Sequence, residues 1–120
     1  TKKIFEDESI EVNPTCVRVP VFFGHSEAVH IETNQAITAE QATALLASAP
    51  GVKVIDERVG PDFPTPVRDA AGTDPVFVGR IRKDISTERG LNLWIVSDNV
   101  RKGAALNSIQ IAEVLIKSLQ

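Results

Sequence analysis

The chain has 120 residues with 13 basic and 16 acidic side chains, a formal net charge of −3; that is one domain's worth of sequence, and the acidic balance argues against nucleic acid or anionic lipid as the main partner. An apolar fraction of 42% and a charged fraction of 24% describe a globular domain able to bury its own core, and no apolar run approaches the roughly 20 residues of a membrane-spanning helix. The single cysteine excludes an internal disulfide and favours a reducing compartment.

Thr1-Lys2-Lys3-Ile4-Phe5 opens the chain without Met and without the pattern of a signal peptide, so a fragment or a cut chain is expected. Residues 2–6 read as the last turn of a helix begun upstream, too short to nucleate alone. Asn13-Pro14 marks a turn. Cys16 to Phe23 reads as a strand, with Val17, Val19, Val21 and Phe23 on one parity, placed at an edge or broken by Pro20. After Gly24, a second strand is predicted from about Glu27 to Thr33. Thr38-Ala39-Glu40-Gln41 is a capping-box signature. The helix it opens, with Ala42, Leu45, Leu46 and Ala49 at helical spacing, stops at Pro50-Gly51. Val52 to Ile55 is a short strand. Residues 57–75, with Pro61, Pro64, Pro66, Pro75, Gly60 and Gly72, read as a long functional or partner-covering loop. Val76 to Arg82 and Leu91 to Val96 are strands, joined through Asp84–Gly90 and antiparallel. Ser97 or Asp98 caps a final helix running to about Leu119.

That last helix is apolar nearly all round, its polar stripe reduced to Gln110, Glu113 and Lys117. It calls for two apolar partners, and a domain this small readily supplies one. The predicted fold is α+β: a mixed, mostly antiparallel sheet with helices packed on one face and a long C-terminal helix.

Few side chains suggest chemistry. Arg18, inside an apolar strand, is either a bidentate clamp on a carboxylate or phosphate or a charge that protects a sheet edge. His25, after Gly24, is either a general acid/base or a solvated turn residue. The two lie seven positions apart, up to about 23 Å along a straight strand. Sharing one small substrate requires a bend, and Pro20 and Gly24 are where it can occur. His30 reads as structural or surface, and Cys16 as a buried inert thiol. Asp98-Asn99 caps the last helix, with a ligand contact at its free N–H groups as the other reading. No cluster has metal-ligand spacing, and neither a P-loop nor Gly-x-Gly-x-x-Gly is present.

Three stretches resemble bacterial aspartate-semialdehyde dehydrogenase in family order: Asn13-Pro14-Thr15-Cys16-Val17-Arg18-Val19-Pro20-Val21 continuing through Gly24-His25-Ser26-Glu27-Ala28-Val29, then Ala70 to Arg82, then Asp98-Asn99-Val100-Arg101-Lys102-Gly103-Ala104-Ala105. The resemblance implies a cytoplasmic homodimeric oxidoreductase of lysine, methionine and threonine biosynthesis. Such an enzyme interconverts aspartate semialdehyde, phosphate and NADP with aspartyl phosphate and NADPH, through a cysteine thioester. It implies Arg18 as the substrate-carboxylate clamp, His25 as the general acid/base, and Asn99 as a residue beside the nicotinamide. The Gly-rich nucleotide turn and the nucleophilic Cys, set in the family between Asn and Ser or Thr, are not in this sequence, and Cys16 lacks that context. The expected layout is a partial catalytic and dimerisation domain at 1–97. A helix at 98–120 would return to an N-terminal nucleotide-binding domain outside the chain. The rival expectation is a non-catalytic, oligomeric α+β binding or assembly module.

Overall fold

The computed structural model describes residues 1–57 and 62–119. Apolar residues at period two build one four-stranded sheet from β1 (His25–Glu32), β2 (Val52–Val54), β3 (Val76–Lys83) and β4 (Gly90–Ser97), in spatial order β1-β4-β3-β2. β4 pairs antiparallel with both β1 and β3, and β2 pairs parallel with β3. The mixed, mostly antiparallel sheet of the sequence reading is therefore present.

Side-chain alternation along β4 feeds two cores. Leu91 and Leu93, with Val78 and Ile81 of β3, pack against Ala39 and Ala42 of helix α2 (Ala39–Ser48). On the other face Val96 and Phe77 pack with Ala70, and Trp94 borders them. Ala70 closes a single wide helical turn, Pro66–Ala70, whose Ala71 N–H donates five residues back to the Pro66 carbonyl at 2.8 Å. The Trp94 indole N–H donates to the Pro64 carbonyl at 2.9 Å, tying the incoming loop to this face. This turn falls in the stretch read as wholly irregular; Thr65 caps it by accepting from the Arg68 N–H at 3.2 Å. Gly60 and Pro61 of that stretch lie outside the described residues.

The capping box is formed as predicted. The Thr38 hydroxyl accepts from the Gln41 N–H at 3.1 Å, and the Gln41 side chain accepts from the Thr38 N–H at 2.9 Å. β3 carries a bulge between Gly79 and Arg82 in which Arg80 takes a φ of 55°. Asp56 pins it, accepting from the Arg80 N–H at 2.8 Å and the Ile81 N–H at 2.9 Å. The extra residue keeps Ile81 on the α2 face with Val78.

Two predicted elements differ. Cys16 to Phe23 forms no strand. The Val21 N–H donates to the Val19 carbonyl at 2.9 Å, a three-residue turn centred on Pro20, and Phe22 is 96% exposed. Alternation supplies a face but not a ladder partner, and none of the four described strands pairs with this segment. The final helix starts later than predicted: Asp98 heads only a short turn, accepting at its carbonyl from the Arg101 and Lys102 N–H groups. Gly103, at a φ of 89°, then breaks the chain direction before α3 (Leu106–Ser118). No α3 residue is buried, and Ile109, Ile111, Val114, Leu115 and Ile116 are all exposed, so the described residues leave most of the apolar surface of this helix uncovered. Lys2–Phe5 forms the one-turn helix α1.

Candidate functional site

β1 begins where β4 ends, because the register sets His25 opposite Ser97. Asp98 and Asn99 therefore leave β4 at the same end of the sheet as His25. Gly24, at a φ of 89°, packs so closely there that an added Cβ would lie 2.6 Å from the Pro66 Cβ and 3.2 Å from the Ser97 carbonyl oxygen. Asp98 is buried and braces the corner: one carboxylate oxygen accepts from the Gly72 N–H at 2.8 Å, the other from the Val100 N–H at 3.0 Å. The Gly72 N–H, aided by those of Val100 and Arg101 and opposed by burial, holds this carboxyl below the ordinary carboxylate value. An Arg101–Asp74 ion pair at 2.6 Å adds a second tie across the same corner.

His25 is the first residue of β1 rather than a turn residue, and its side chain is 61% exposed. Its Nδ1 lies 3.3 Å from Glu27 Oε1, and its Nε2 has no partner among the described residues. Asn99 is exposed in the link between β4 and the following turn. Arg18 is exposed in the irregular approach to β1 and makes no hydrogen bond or ion pair among the described residues. The strand ladder thus brings His25 and Asn99 to one end, while no described contact joins Arg18 to either. The approach does turn at Pro20 and Gly24, the two points identified from the sequence.

The other readings resolve simply. His30 is a β1 residue with Nδ1 3.6 Å from Asp84 Oδ1, a structural contact as expected. Cys16 is exposed, not buried, because the segment holding it lacks a strand partner. No group of three or more His, Cys, Asp or Glu residues could hold a metal ion, and no helix is long and apolar enough to cross a membrane, among the described residues. An open cleft of about 750 Å³ lies at the opposite end of the sheet, where Thr38, Asp56, Glu57, Arg80, Arg82 and Lys83 mix both charges. Sequence reasoning missed Glu27 and the bracing role of Asp98. Period-two spacing would have paired Glu27 with His25 had the strand been started two residues earlier.

A family model described as semialdehyde dehydrogenase, dimerisation domain, matches residues 1–102. The chain is 62% identical over 117 residues to an aspartate-semialdehyde dehydrogenase of a Shewanella species, covering 98% of this chain and 34% of that protein. It is 63% identical over 115 residues to the aspartate-semialdehyde dehydrogenase of Legionella pneumophila, covering 96% of this chain and 33% of that one. The crystal structure of aspartate semialdehyde dehydrogenase II from Vibrio cholerae, complexed with ASA, superposes with a TM-score of 0.90 at 59% identity, over 97% of this chain and 34% of that one. The chain spans about a third of the length of the curated relatives it matches. Through residues 1–102 the chain belongs to the semialdehyde dehydrogenase family, whose dimerisation domain it carries.

Proposed function

We propose that this chain is the C-terminal third of an aspartate-semialdehyde dehydrogenase, which converts L-aspartyl 4-phosphate and NADPH to L-aspartate 4-semialdehyde, NADP and phosphate. The observation that carries this reading is identity of 62% along nearly the whole chain but only 34% of the relative. Residues 1–97 then form part of the catalytic and dimerisation domain, acting as a homodimer. Residues 98–120 return to a nucleotide-binding domain supplied by the rest of the protein. The uncovered apolar surface of α3 supports that return.

In this reading Arg18 grips the substrate carboxylate, since a planar guanidinium matches two oxygens at once. His25 moves the proton: it takes one from the thiol that attacks the acyl carbon and gives it to the phosphate oxygen that leaves as the tetrahedral carbon collapses to the thioester. Its exposed side chain, with Nε2 lacking a partner among the described residues, supports that role. The nucleophilic thiol is assigned to residues outside these 120, because Cys16 stands between Thr15 and Val17 and not, as in the family site, between Asn and Ser or Thr. The residues here fit only the margin of a dinucleotide: Asn99 offers one amide, and no Gly-rich turn is in the sequence. When bound, NADPH would supply the hydride that reduces the acyl carbon, and NADP would accept it in the reverse direction.

The test is kinetic, in the full-length protein. His25→Ala is expected to lower kcat by roughly 10²-fold or more. Arg18→Lys should mainly raise KM for the semialdehyde, since a point charge replaces a fork. Unchanged kinetics in both variants would refute the assignments. Semialdehyde-dependent NADPH formation by the pure 120-residue chain would refute the placement of thiol and nucleotide site elsewhere.

A further inference from the structure

We infer that Glu27 is a positioning residue for His25, its carboxylate holding the imidazole by Nδ1 so that Nε2 is the proton-exchanging atom. The inference rests on the reading of His25 as the acid/base group. It starts from strand geometry: residues two apart on β1 project from the same face. The antiparallel ladder fixes both backbones, His25 opposite Ser97 and Glu27 opposite Ile95. The side chains meet with Nδ1 3.3 Å from Oε1. An ionised carboxylate can only accept a hydrogen bond, so the ring nitrogen facing it carries the proton. In the neutral ring the lone pair is then on Nε2, the nitrogen without a partner among the described residues.

The neighbouring charges leave this pairing to Glu27. Glu32 on the same strand is engaged by Arg89 at 3.2 Å. Asp98, which follows the residue opposite His25, already accepts from the Gly72 and Val100 N–H groups. Asp84 belongs to His30 and to its own turn. The imidazole is the one partner of the Glu27 side chain among the described residues. A free histidine prefers its proton on Nε2. A carboxylate at Nδ1 reverses that preference and stops rotation of the ring out of line.

The test uses the full-length protein with Glu27→Ala, Glu27→Gln and His25→Ala. Glu27 is exposed, so its substitution leaves the core alone. Glu27→Ala should lower kcat by about 10-fold with KM unchanged, as loss of a partner that orients a functional histidine does. Glu27→Gln, whose carbonyl oxygen still accepts from Nδ1–H, should stay within about threefold of the parent. Nitrogen NMR of labelled histidine, with the His25 signal assigned by its loss in His25→Ala, should show Nδ1–H in the parent and in Glu27→Gln. It should show Nε2–H in Glu27→Ala. An unchanged tautomer in Glu27→Ala, or a switched tautomer with unchanged kcat, overturns the inference alone. Full turnover by His25→Ala overturns the acid/base reading, and the inference with it.

Discussion

β4 and α3 are both rich in branched apolar side chains, yet they end in opposite environments. Leu91 and Val96 of β4 are each 1% exposed, whereas Ile111 and Val114 of α3 are 67% and 69% exposed. β4 has a strand on each edge and cover on both faces. α3 follows a break at Gly103 and packs into neither core. Apolar content decides that a segment needs covering; topology decides whether its own chain can do so. The segment from Cys16 to Phe23 sits with α3 on the uncovered side, its Val17 and Phe23 exposed. Both uncovered regions follow from the proposal that two thirds of the working enzyme lies outside this chain.

Substitutions on the two sides should separate sharply. The largest effect is expected for Leu91→Ala, which empties a fully buried position and should cost about 3 kcal/mol in denaturant unfolding. A loss like that of a surface residue would remove β4 from the core. Next comes Gly79→Ala, since an added Cβ would fall on the Ile55 carbonyl oxygen and within 2.6 Å of Pro64 Cδ. Overpacking between β3 and the loop should cost about 2 kcal/mol, read in the same unfolding curves.

A smaller effect sits at the corner that carries His25 and Asn99. The Asp98 carboxyl is held below its ordinary value in the folded chain, chiefly by the Gly72 N–H. A lowered folded value means that the ionised form stabilises the fold above the unfolded value near 3.8. That contribution is lost as pH falls through the folded value. Asp84, lowered first by the Ser86 hydroxyl and then by Asn92, works with the same sign. Asp98→Asn should therefore flatten one share of the acid limb in melts taken from about pH 5 downward, where a carboxylate with a lowered folded value loses its contribution. The Asp84 share should remain. An acid limb identical to the parent's would show that the Gly72 tie contributes nothing. The smallest effect belongs to Ile111→Ala: in the 120-residue chain it should change stability by about 0.5 kcal/mol or less, as exposed positions do. A core-sized loss there would erase the contrast with β4.

Much of the covered half was readable from local rules. The Thr38–Gln41 capping box, the Pro50-Gly51 stop and the apolar runs of β3 and β4 carry their meaning within a few residues, and all are realised. The uncovered half was misread where meaning depends on a partner. Val17, Val19, Val21 and Phe23 alternate like any strand, but alternation is silent on whether a neighbour exists to complete the ladder. That error also put Cys16 inside. The bulge at Arg80 and the Asp98–Gly72 bond join residues far apart in sequence, 25 or so positions, and no local pattern announces them. At the candidate site, His25 and Asn99 were identified by type and resemblance. Their placement at one end of the sheet came only with the β1–β4 register.

Amide hydrogen exchange, compared between the 120-residue chain and the full-length protein, tests the contrast most directly. The account predicts slow exchange in β3 and β4 in both. In α3 and Cys16–Phe23, exchange should be fast in the chain alone and slow in the full-length protein. Equal protection of α3 and Cys16–Phe23 in the two samples would contradict it.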